Sequence, residues 1–272
     1  MLFTLAPNLF LPFMNSFQIK FGLGIVFLSL VTNLAYSQSS DSGQKPLIRH
    51  FDGNISATNN GISIIPSFSL GRPAVFFDLS AGGERLSFDP MFRFGMNGKP
   101  WSFVFWWRYK ILKDQRFTLT AGAHPAFIFQ DREVIVDGKP EIMFIANRYL
   151  AGEINQLYKF SDKFSMGLYY LHGNGFNPTG PKLTDFLALN MLVSNLRIVK
   201  DFTLKMNPQL YFLSVDKTSG YYVSSNFTLS KGDFPISFQS LVNQKINSTV
   251  PGDDLVWNVS LVYNFSNQYS KR

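Results

Sequence analysis

Charged and polar side chains occupy alternate positions through much of this sequence, between large apolar residues. Because acidic and basic members fall on neighbouring segments, two kinds of chemistry are open to them. They can neutralise one another in a salt-bridge network that fills an enclosed interior, or line a constriction that selects solutes by charge. The salt-bridge network is slightly favoured, and the charge-selective constriction is kept as the alternative. The candidates are Asp78, Asp89, Arg93, Arg108, Lys110, His124, Lys205, Asn207, Gln209 and Asn226.

A second candidate for chemistry is His172, whose imidazole could serve as a general base. Acyl transfer also needs a nucleophile beside the base, and the residue two positions on is Asn174, which cannot take that role. We therefore predict no catalytic residues and no enzyme activity. The sequence contains three isolated histidines and no cysteine, so we expect neither a metal site nor a cofactor.

The elements that must position these residues are β-strands. In residues 255–265 every odd position is large and apolar, and most of the positions between are small or polar. This is the two-residue period of a strand. A strand of about ten residues can cross a bilayer at a tilt, and aromatic residues such as Trp257, Tyr263 and Phe265 are typical of its interfacial ends.

About twelve such segments follow one another between residues 61 and 265. The first, at residues 62–70, is expected to pair with residues 255–265. Short turns alternate with long loops, which we place at residues 131–141, 173–182 and 246–254. The pattern predicts an all-β fold, a single antiparallel up-and-down transmembrane β-barrel of about twelve strands.

Two of these segments have an irregular period. Within residues 142–158, Arg148 and Glu153 do not fit one register together with Asn147 and Asn155, so we expect a β-bulge there. The period also breaks at residues 195–199. Strand boundaries are least well determined by the sequence in these two segments.

The N-terminal residues read as an export signal. An apolar run at residues 21–34 follows Lys20 and ends at the small-x-small sequence Ala35-Tyr36-Ser37, as in a secretory signal peptide. We predict a signal peptide over residues 1–37, with Met14 as an alternative start. Residues 38–60 are predicted to be a flexible segment outside the barrel, and residues 266–272 a short C-terminal tail.

The composition agrees with an exported strand protein. Aromatic residues make up 16% of the 272 residues, and the mean hydropathy of +0.02 suits alternation better than long apolar blocks. The formal net charge is +7 and becomes +6 when Lys20 is removed with the signal. An excess of positive charge suits anionic lipid or anionic solutes. We find no nucleic-acid motif and expect no nucleic-acid partner.

Three segments make the chain resemble outer-membrane β-barrels of Gram-negative bacteria, most of all those of the Bacteroidota type. They are Ala35-Tyr36-Ser37-Gln38, Asn97-Gly98-Lys99-Pro100-Trp101, and the final strand that contains Trp257, Tyr263 and Phe265. The resemblance implies an outer-membrane location and a final strand recognised by the barrel-assembly machinery. Residues 266–272 depart from the strictly terminal aromatic residue of such proteins.

Around His172 the sequence is also similar to outer-membrane lipid hydrolases, which carry His-x-Ser followed by Asn-Gly at the outer end of a strand. Here Leu171-His172-Gly173-Asn174-Gly175 has Asn174 in place of the serine. We therefore treat His172 and Asn174 as a site at the barrel rim. The expected function is a narrow passive channel for small solutes, or a structural or surface component. A lipid hydrolase around His172 and an adhesion or receptor barrel are the alternatives.

Overall fold

Twelve antiparallel strands form a closed barrel in the computed structural model, which describes residues 49–268. Each strand pairs with its neighbours in sequence, and the first pairs with the last. The predicted all-β barrel of about twelve strands is therefore confirmed. The strands are β1 (His50–Thr58), β2 (Ala74–Gly82), β3 (Leu86–Gly95), β4 (Pro100–Lys113), β5 (Phe117–Val136), β6 (Lys139–Lys159), β7 (Phe164–Gly175), β8 (Leu183–Val199), β9 (Phe202–Val215), β10 (Thr218–Lys231), β11 (Ile236–Ser248) and β12 (Leu255–Gln268).

Each strand turns one face outward and one face inward, because side chains alternate along a strand. On β12, Trp257 and Tyr263 are 52% and 47% exposed, whereas Asn258 and Ser260 are buried. Similar alternation around the barrel produces an apolar outer belt. Its exposed members include Trp107, Leu150, Ile154, Leu168, Leu187, Leu210, Val223, Phe238, Leu255, Val259 and Leu261. Residues 49–268 contain no helix long and apolar enough to span a membrane.

The first strand lies earlier in the chain than the sequence pattern predicts. β1 (His50–Thr58) pairs with β2 on one side and with β12 on the other, so the prediction of a flexible segment through residue 60 is wrong for this part. Its large outward-facing residues are few, chiefly Phe51 and Ile55, and Asp52-Gly53-Asn54 has the composition of a turn. The closing partner of β12 is therefore β1 and not residues 62–70.

Residues 62–70 do not form a strand. They belong to the connection between β1 and β2, residues 59–73, which we call loop 59–73 and which contains a 3₁₀ turn at Pro66–Phe68. Backbone hydrogen bonds close the neck of this loop, since Gly71 N lies 3.2 Å and Leu70 N 2.8 Å from Gly61 O. Of the alternating apolar residues of this segment, Ile62 is buried, whereas Ile64 is 43% exposed.

The predicted long loop at residues 131–141 is also absent. β5 and β6 remain paired through this region up to Val136 and Lys139, and only Asp137 and Gly138 form the turn. The expected bulge in residues 142–158 is absent too, because β6 keeps one register against both neighbours. That register buries Asn147 and Glu153 and leaves Arg148 exposed. The predicted irregularity at residues 195–199 is confirmed by register shifts between β8 and β9.

The barrel closes along the β1–β12 seam. The Phe265 ring packs 5.7 Å from the ring of Phe51, and a Cβ on Gly53 would come within 2.7 Å of it. Glycine at this position therefore lets the aromatic ring lie across β1. β12 continues to Gln268, so residues 266–268, predicted to belong to a C-terminal tail, are part of the last strand. The predicted signal peptide, residues 1–37, lies outside the described residues.

Candidate functional site: the barrel interior

The two ends of the barrel differ. His50 pairs with Gln268, so both described chain ends lie at one end, which we call the terminal end. The other end, the loop end, carries loop 59–73 and the connections between β7 and β8 and between β11 and β12. The interior contains three structures between these ends: a group of charged residues, an inward-folded loop and a polar cavity.

The charged group is centred on Arg108. Its Nη1 lies 2.9 Å from Asp89 Oδ2, and its Nε lies 2.6 Å from Glu153 Oε1. The Tyr169 hydroxyl donates to Glu153 Oε2 at 2.7 Å. We call Asp89, Arg108, Glu153 and Tyr169 the charged belt. Because the Glu153 side chain is only 2% exposed, its charge depends on these partners.

Hydrogen bonds extend the charged belt to β1 and β2. The Ser80 hydroxyl donates to Asp89 Oδ1 at 2.6 Å and also lies 3.1 Å from His50 Nε2. Ser87 donates to the other carboxylate oxygen of Asp89 at 3.1 Å. Polar contacts therefore connect β1 to β7 around half of the barrel wall, and the two carboxylates of Asp89 and Glu153 share the one guanidinium of Arg108.

Aromatic rings support the cations of this wall. The Arg108 guanidinium lies 4.4 Å from the ring centre of Trp106, and His124 packs against the same ring at 4.0 Å. Arg93 lies over Phe76 at 5.2 Å. Cation–π contacts of this kind stabilise partly desolvated cations.

On β2–β4, three of the predicted interior residues take no part in an ion pair within the described chain. Asp78 and Arg93 lie on adjacent strands, but Asp78 Oδ1 and Arg93 Nε have no hydrogen-bond partner among residues 49–268. Lys110 lies on the same face of β4 as Arg108 and likewise has no ion-pair partner in this part of the protein. The interior wall is therefore only partly the salt-bridge network that the sequence favours.

Loop 59–73 crosses the interior near the loop end. On one side Trp101 Nε1 donates to Phe68 O at 2.7 Å, and Gln130 Nε2 donates to Ser67 O at 2.8 Å. On the other side Ile65 packs against a buried cluster from β8–β10 and the β11–β12 connection. The cluster consists of Phe186, Ala188, Tyr211, Leu213, Val215, Tyr222 and Val250.

Trp101 faces the interior because of a local irregularity. Simple alternation predicts that it lies on the outer face with Phe103 and Phe105. Instead, the register between β3 and β4 shifts at Arg93/Phe94, and Trp101 turns inward, where it is 2% exposed. A β-bulge redirects a side chain in this way, and here it supplies the donor that holds loop 59–73.

A polar cavity of about 300 Å³ lies toward the terminal end, on the β6 and β8–β11 side of the interior. It is spatially distinct from loop 59–73 and shares none of its lining with the charged belt. The lining residues are Asn155, Leu157, Asn190, Met191, Leu192, Lys205, Asn207, Gln209, Asn226, Thr228 and Gln239.

The site at the rim has a clear geometry on the outer surface. His172 Nδ1 lies 2.8 Å from Asp185 Oδ1, and the Tyr170 hydroxyl donates to the same oxygen at 2.7 Å. All three residues lie on the outward face near the loop end, as the period predicts for His172. Asn174 follows on the same face. No group of three His, Asp or Glu side chains within residues 49–268 is arranged to hold a metal ion.

The alternation in sequence identifies inward-facing residues but does not identify their partners. Asp89 and Arg108 are predicted to lie inside, and the structure joins them. Glu153 is missed as their partner because its strand is expected to contain a bulge. Lys205, Asn207, Gln209 and Asn226 come together at the cavity, whereas His124 lies apart from it beside Trp106. Asn155 and Asn190 are additional cavity residues. Both lie at inward-facing positions in the two-residue alternation of their strands, and this pattern in the sequence could have identified them.

No protein-family model matches the sequence, and no curated protein is significantly similar to it. Solved structures do match the fold. An outer membrane channel from Pseudomonas putida F1 aligns with a TM-score of 0.50 and 8% identity, covering 85% of this chain and 100% of that chain. The fold is therefore that of an outer-membrane β-barrel.

Two further solved structures align less closely. The KdgM porin in complex with disordered oligogalacturonate has a TM-score of 0.49 and 11% identity, with 79% of this chain and 99% of that chain covered. LpxR from Salmonella typhimurium has a TM-score of 0.43 and 12% identity, with 79% and 100% covered. The neighbours are thus outer-membrane β-barrels of Gram-negative bacteria.

Proposed function

We propose that this protein is an outer-membrane barrel that acts as a narrow passive channel for small solutes. The observation that carries the proposal is the polar cavity of about 300 Å³ inside a closed barrel. A barrel that served only as a structural component could fill this space with packed side chains. Instead, eight of its eleven lining residues are Asn, Gln, Thr or Lys, and such residues suit a path for hydrated solutes.

The proposed outer-membrane location has two supports. The outward faces form an apolar belt with exposed aromatic residues such as Trp107, Trp257 and Tyr263, as expected for a lipid-facing surface. The fold is also that of outer-membrane barrels. Export by a signal peptide, recognition of Trp257, Tyr263 and Phe265 by the barrel-assembly machinery, and origin in a Bacteroidota-type bacterium remain predictions.

In the proposed channel, loop 59–73 forms the constriction. It makes contacts on two sides of the interior, through Phe68 with Trp101 and through Ile65 with the cluster on β8–β10. Its neck is already closed by the hydrogen bonds of Gly61 O. Residues 62–70 can therefore be deleted and Gly61 joined to Gly71 with little change in the strands on either side.

Single-channel recordings in planar lipid bilayers test the proposal. We expect small conductance steps from the full protein and larger steps from the variant that lacks residues 62–70, because the deletion removes the constriction. Trp107→Phe, a change on the outer surface, should leave the conductance unaltered. If neither the full protein nor the deletion variant conducts ions, although both show the altered gel mobility of a folded barrel, the channel function is refuted.

A lipid hydrolase at the rim is a second candidate, favoured by the contact between His172 and Asp185. A carboxylate that holds an imidazole is the usual orienting arrangement for a general base. Since Asn174 occupies the expected serine position, the base would have to activate water.

Acyl release from outer-membrane lipid by the reconstituted protein decides this second candidate. Release that disappears in His172→Ala and persists in Lys163→Ala, a change in the exposed turn at the terminal end, would establish it. Absence of release from the folded wild-type barrel would eliminate it and would leave the channel proposal intact.

A further inference from the structure

The polar cavity is built from inward-facing positions of adjacent strands. Lys205 is directly opposite Thr228, and Asn207 is directly opposite Asn226, in the β9–β10 ladder. Asn190 is opposite Gln209 between β8 and β9. Directly opposed side chains in a sheet lie about 5 Å apart at Cβ. The polar groups therefore form a compact surface held by three paired strands.

Several of these side chains are oriented by bonds within the wall. Asn207 Nδ2 donates to Met191 O at 2.6 Å, and Gln209 Nε2 donates to Asn207 Oδ1 at 3.2 Å. Gln239 Nε2 donates to Thr228 Oγ1 at 3.2 Å. These bonds leave the second donor hydrogens of the amides, the Gln239 carbonyl and the Thr228 hydroxyl proton available. The cavity thus has a preorganised polar surface.

Other groups in the lining have no partner in the described protein. Asn190 Oδ1 is buried and accepts no hydrogen bond from residues 49–268. Lys205 forms neither an ion pair nor a side-chain hydrogen bond within the same residues. A buried acceptor without a donor costs free energy, which a bound hydroxyl group would recover.

The charge of the lining selects the kind of solute. Lys205 is its one ionisable side chain, and the lining contains no Asp or Glu. A cation would therefore be repelled and a single anionic group attracted. The surrounding amides both donate and accept, which matches hydroxyl groups. Leu157 and Leu192 add apolar surface that suits the C–H faces of a ring.

We propose that the cavity binds a small polyhydroxylated solute with one carboxylate, such as a sugar acid, with its carboxylate on Lys205 and a hydroxyl on Asn190 Oδ1. The inference deepens the proposed channel function, because it assigns a solute class to the cavity within the channel. It draws on the cavity of about 300 Å³, which is at the lower end of the range for small-molecule sites.

Isothermal titration of the folded, detergent-solubilised full chain tests the site. The probes are D-glucuronate and D-glucose, which differ mainly in the carboxylate. We expect Lys205→Met to weaken glucuronate binding about tenfold or more, because a charge-assisted hydrogen bond is lost. The same change should weaken glucose binding much less. Lys163→Met, which removes an equal charge from the exposed turn at the terminal end, should leave both affinities unchanged.

A second variant locates the hydroxyl contact. Asn190→Ala removes the unpartnered acceptor and should lower the affinities for glucuronate and for glucose by similar factors. The proposal is refuted if folded wild-type protein binds no glucuronate, or if Lys205→Met and Lys163→Met lower its affinity equally. Because calorimetric titration does not depend on ion conduction, the binding-site proposal and the channel proposal can be refuted independently. Conductance without glucuronate binding refutes the site, and binding without conductance refutes the channel.

Discussion

Arg108 is the residue on which the inner wall depends most. It contacts Asp89 and Glu153 and lies over the Trp106 ring, so one guanidinium connects β3, β4 and β6. The planar group can donate in several directions at once, which a lysine ammonium cannot reproduce with the same geometry. Glu153 is nearly inaccessible to water, and removal of Arg108 would leave its negative charge unpaired.

Arg108→Met should therefore lower the free energy of unfolding by about 2–3 kcal/mol. The loss is expected to be smaller than for a fully buried pair, because the Arg108 side chain itself is 31% exposed. Urea-induced unfolding of the barrel in lipid vesicles, followed by tryptophan fluorescence, measures the change. Arg108→Met combined with Glu153→Gln should recover part of the loss. Equal stability of Arg108→Met and wild type would contradict the proposed role of Arg108 in the charged belt.

At the scale of elements, the position of loop 59–73 depends on a local irregularity of β4. The register shift beside Phe94 turns Trp101 inward, and Trp101 Nε1 then holds the Phe68 carbonyl of loop 59–73. The Phe68 ring makes a further contact with Tyr149 at 5.0 Å. The position of the loop across the interior is therefore set by residues of β4, β5 and β6.

Trp101→Phe retains an aromatic ring but removes the donor to Phe68 O. We expect loop 59–73 to open more often, because a backbone carbonyl loses its partner and the loop loses one of two polar contacts with this wall. Limited digestion of the folded barrel with chymotrypsin should cut after Phe68 several times faster than in wild type. Trp107→Phe, on the outer face of the same strand, serves as the control. An unchanged cleavage rate would show that Trp101 does not hold the loop.

At the scale of the whole molecule, closure by β1 and β12 removes every free strand edge from the barrel wall. Backbone groups at an open edge would have no water to bind within a bilayer, and each unsatisfied group would cost several kcal/mol. The nine residues of β1 are therefore as necessary as the longer strands, although their sequence is mostly small and polar.

A chain that begins at residue 49 should refold into lipid vesicles, whereas a chain that begins at residue 61 should not. The first keeps all twelve strands, and the second exposes the edges of β2 and β12. Heat-modifiable mobility on gels and resistance to protease distinguish the folded and unfolded products. Refolding of the shorter chain to a protease-resistant barrel would show that β1 is dispensable for closure.

The sequence by itself determined the class of fold and which way most side chains point. Alternation is a local property that a strand imposes on its own residues, so it identifies inward-facing positions such as Lys205 and Gln209 without knowledge of the neighbouring strands. The same alternation also predicts the apolar outer belt and about twelve strands. It is misleading where a segment alternates without being a strand, as in residues 62–70.

Only the tertiary structure decided which inward-facing residues meet. The partners of Arg108, the inward turn of Trp101, the path of loop 59–73 and the grouping of Asn190 with Lys205 all depend on the register between strands distant in sequence. Registers are set by the closure of the whole barrel and not by the residues of one strand. Periodicity therefore placed residues 255–265 in the wall, but closure alone paired that strand with β1.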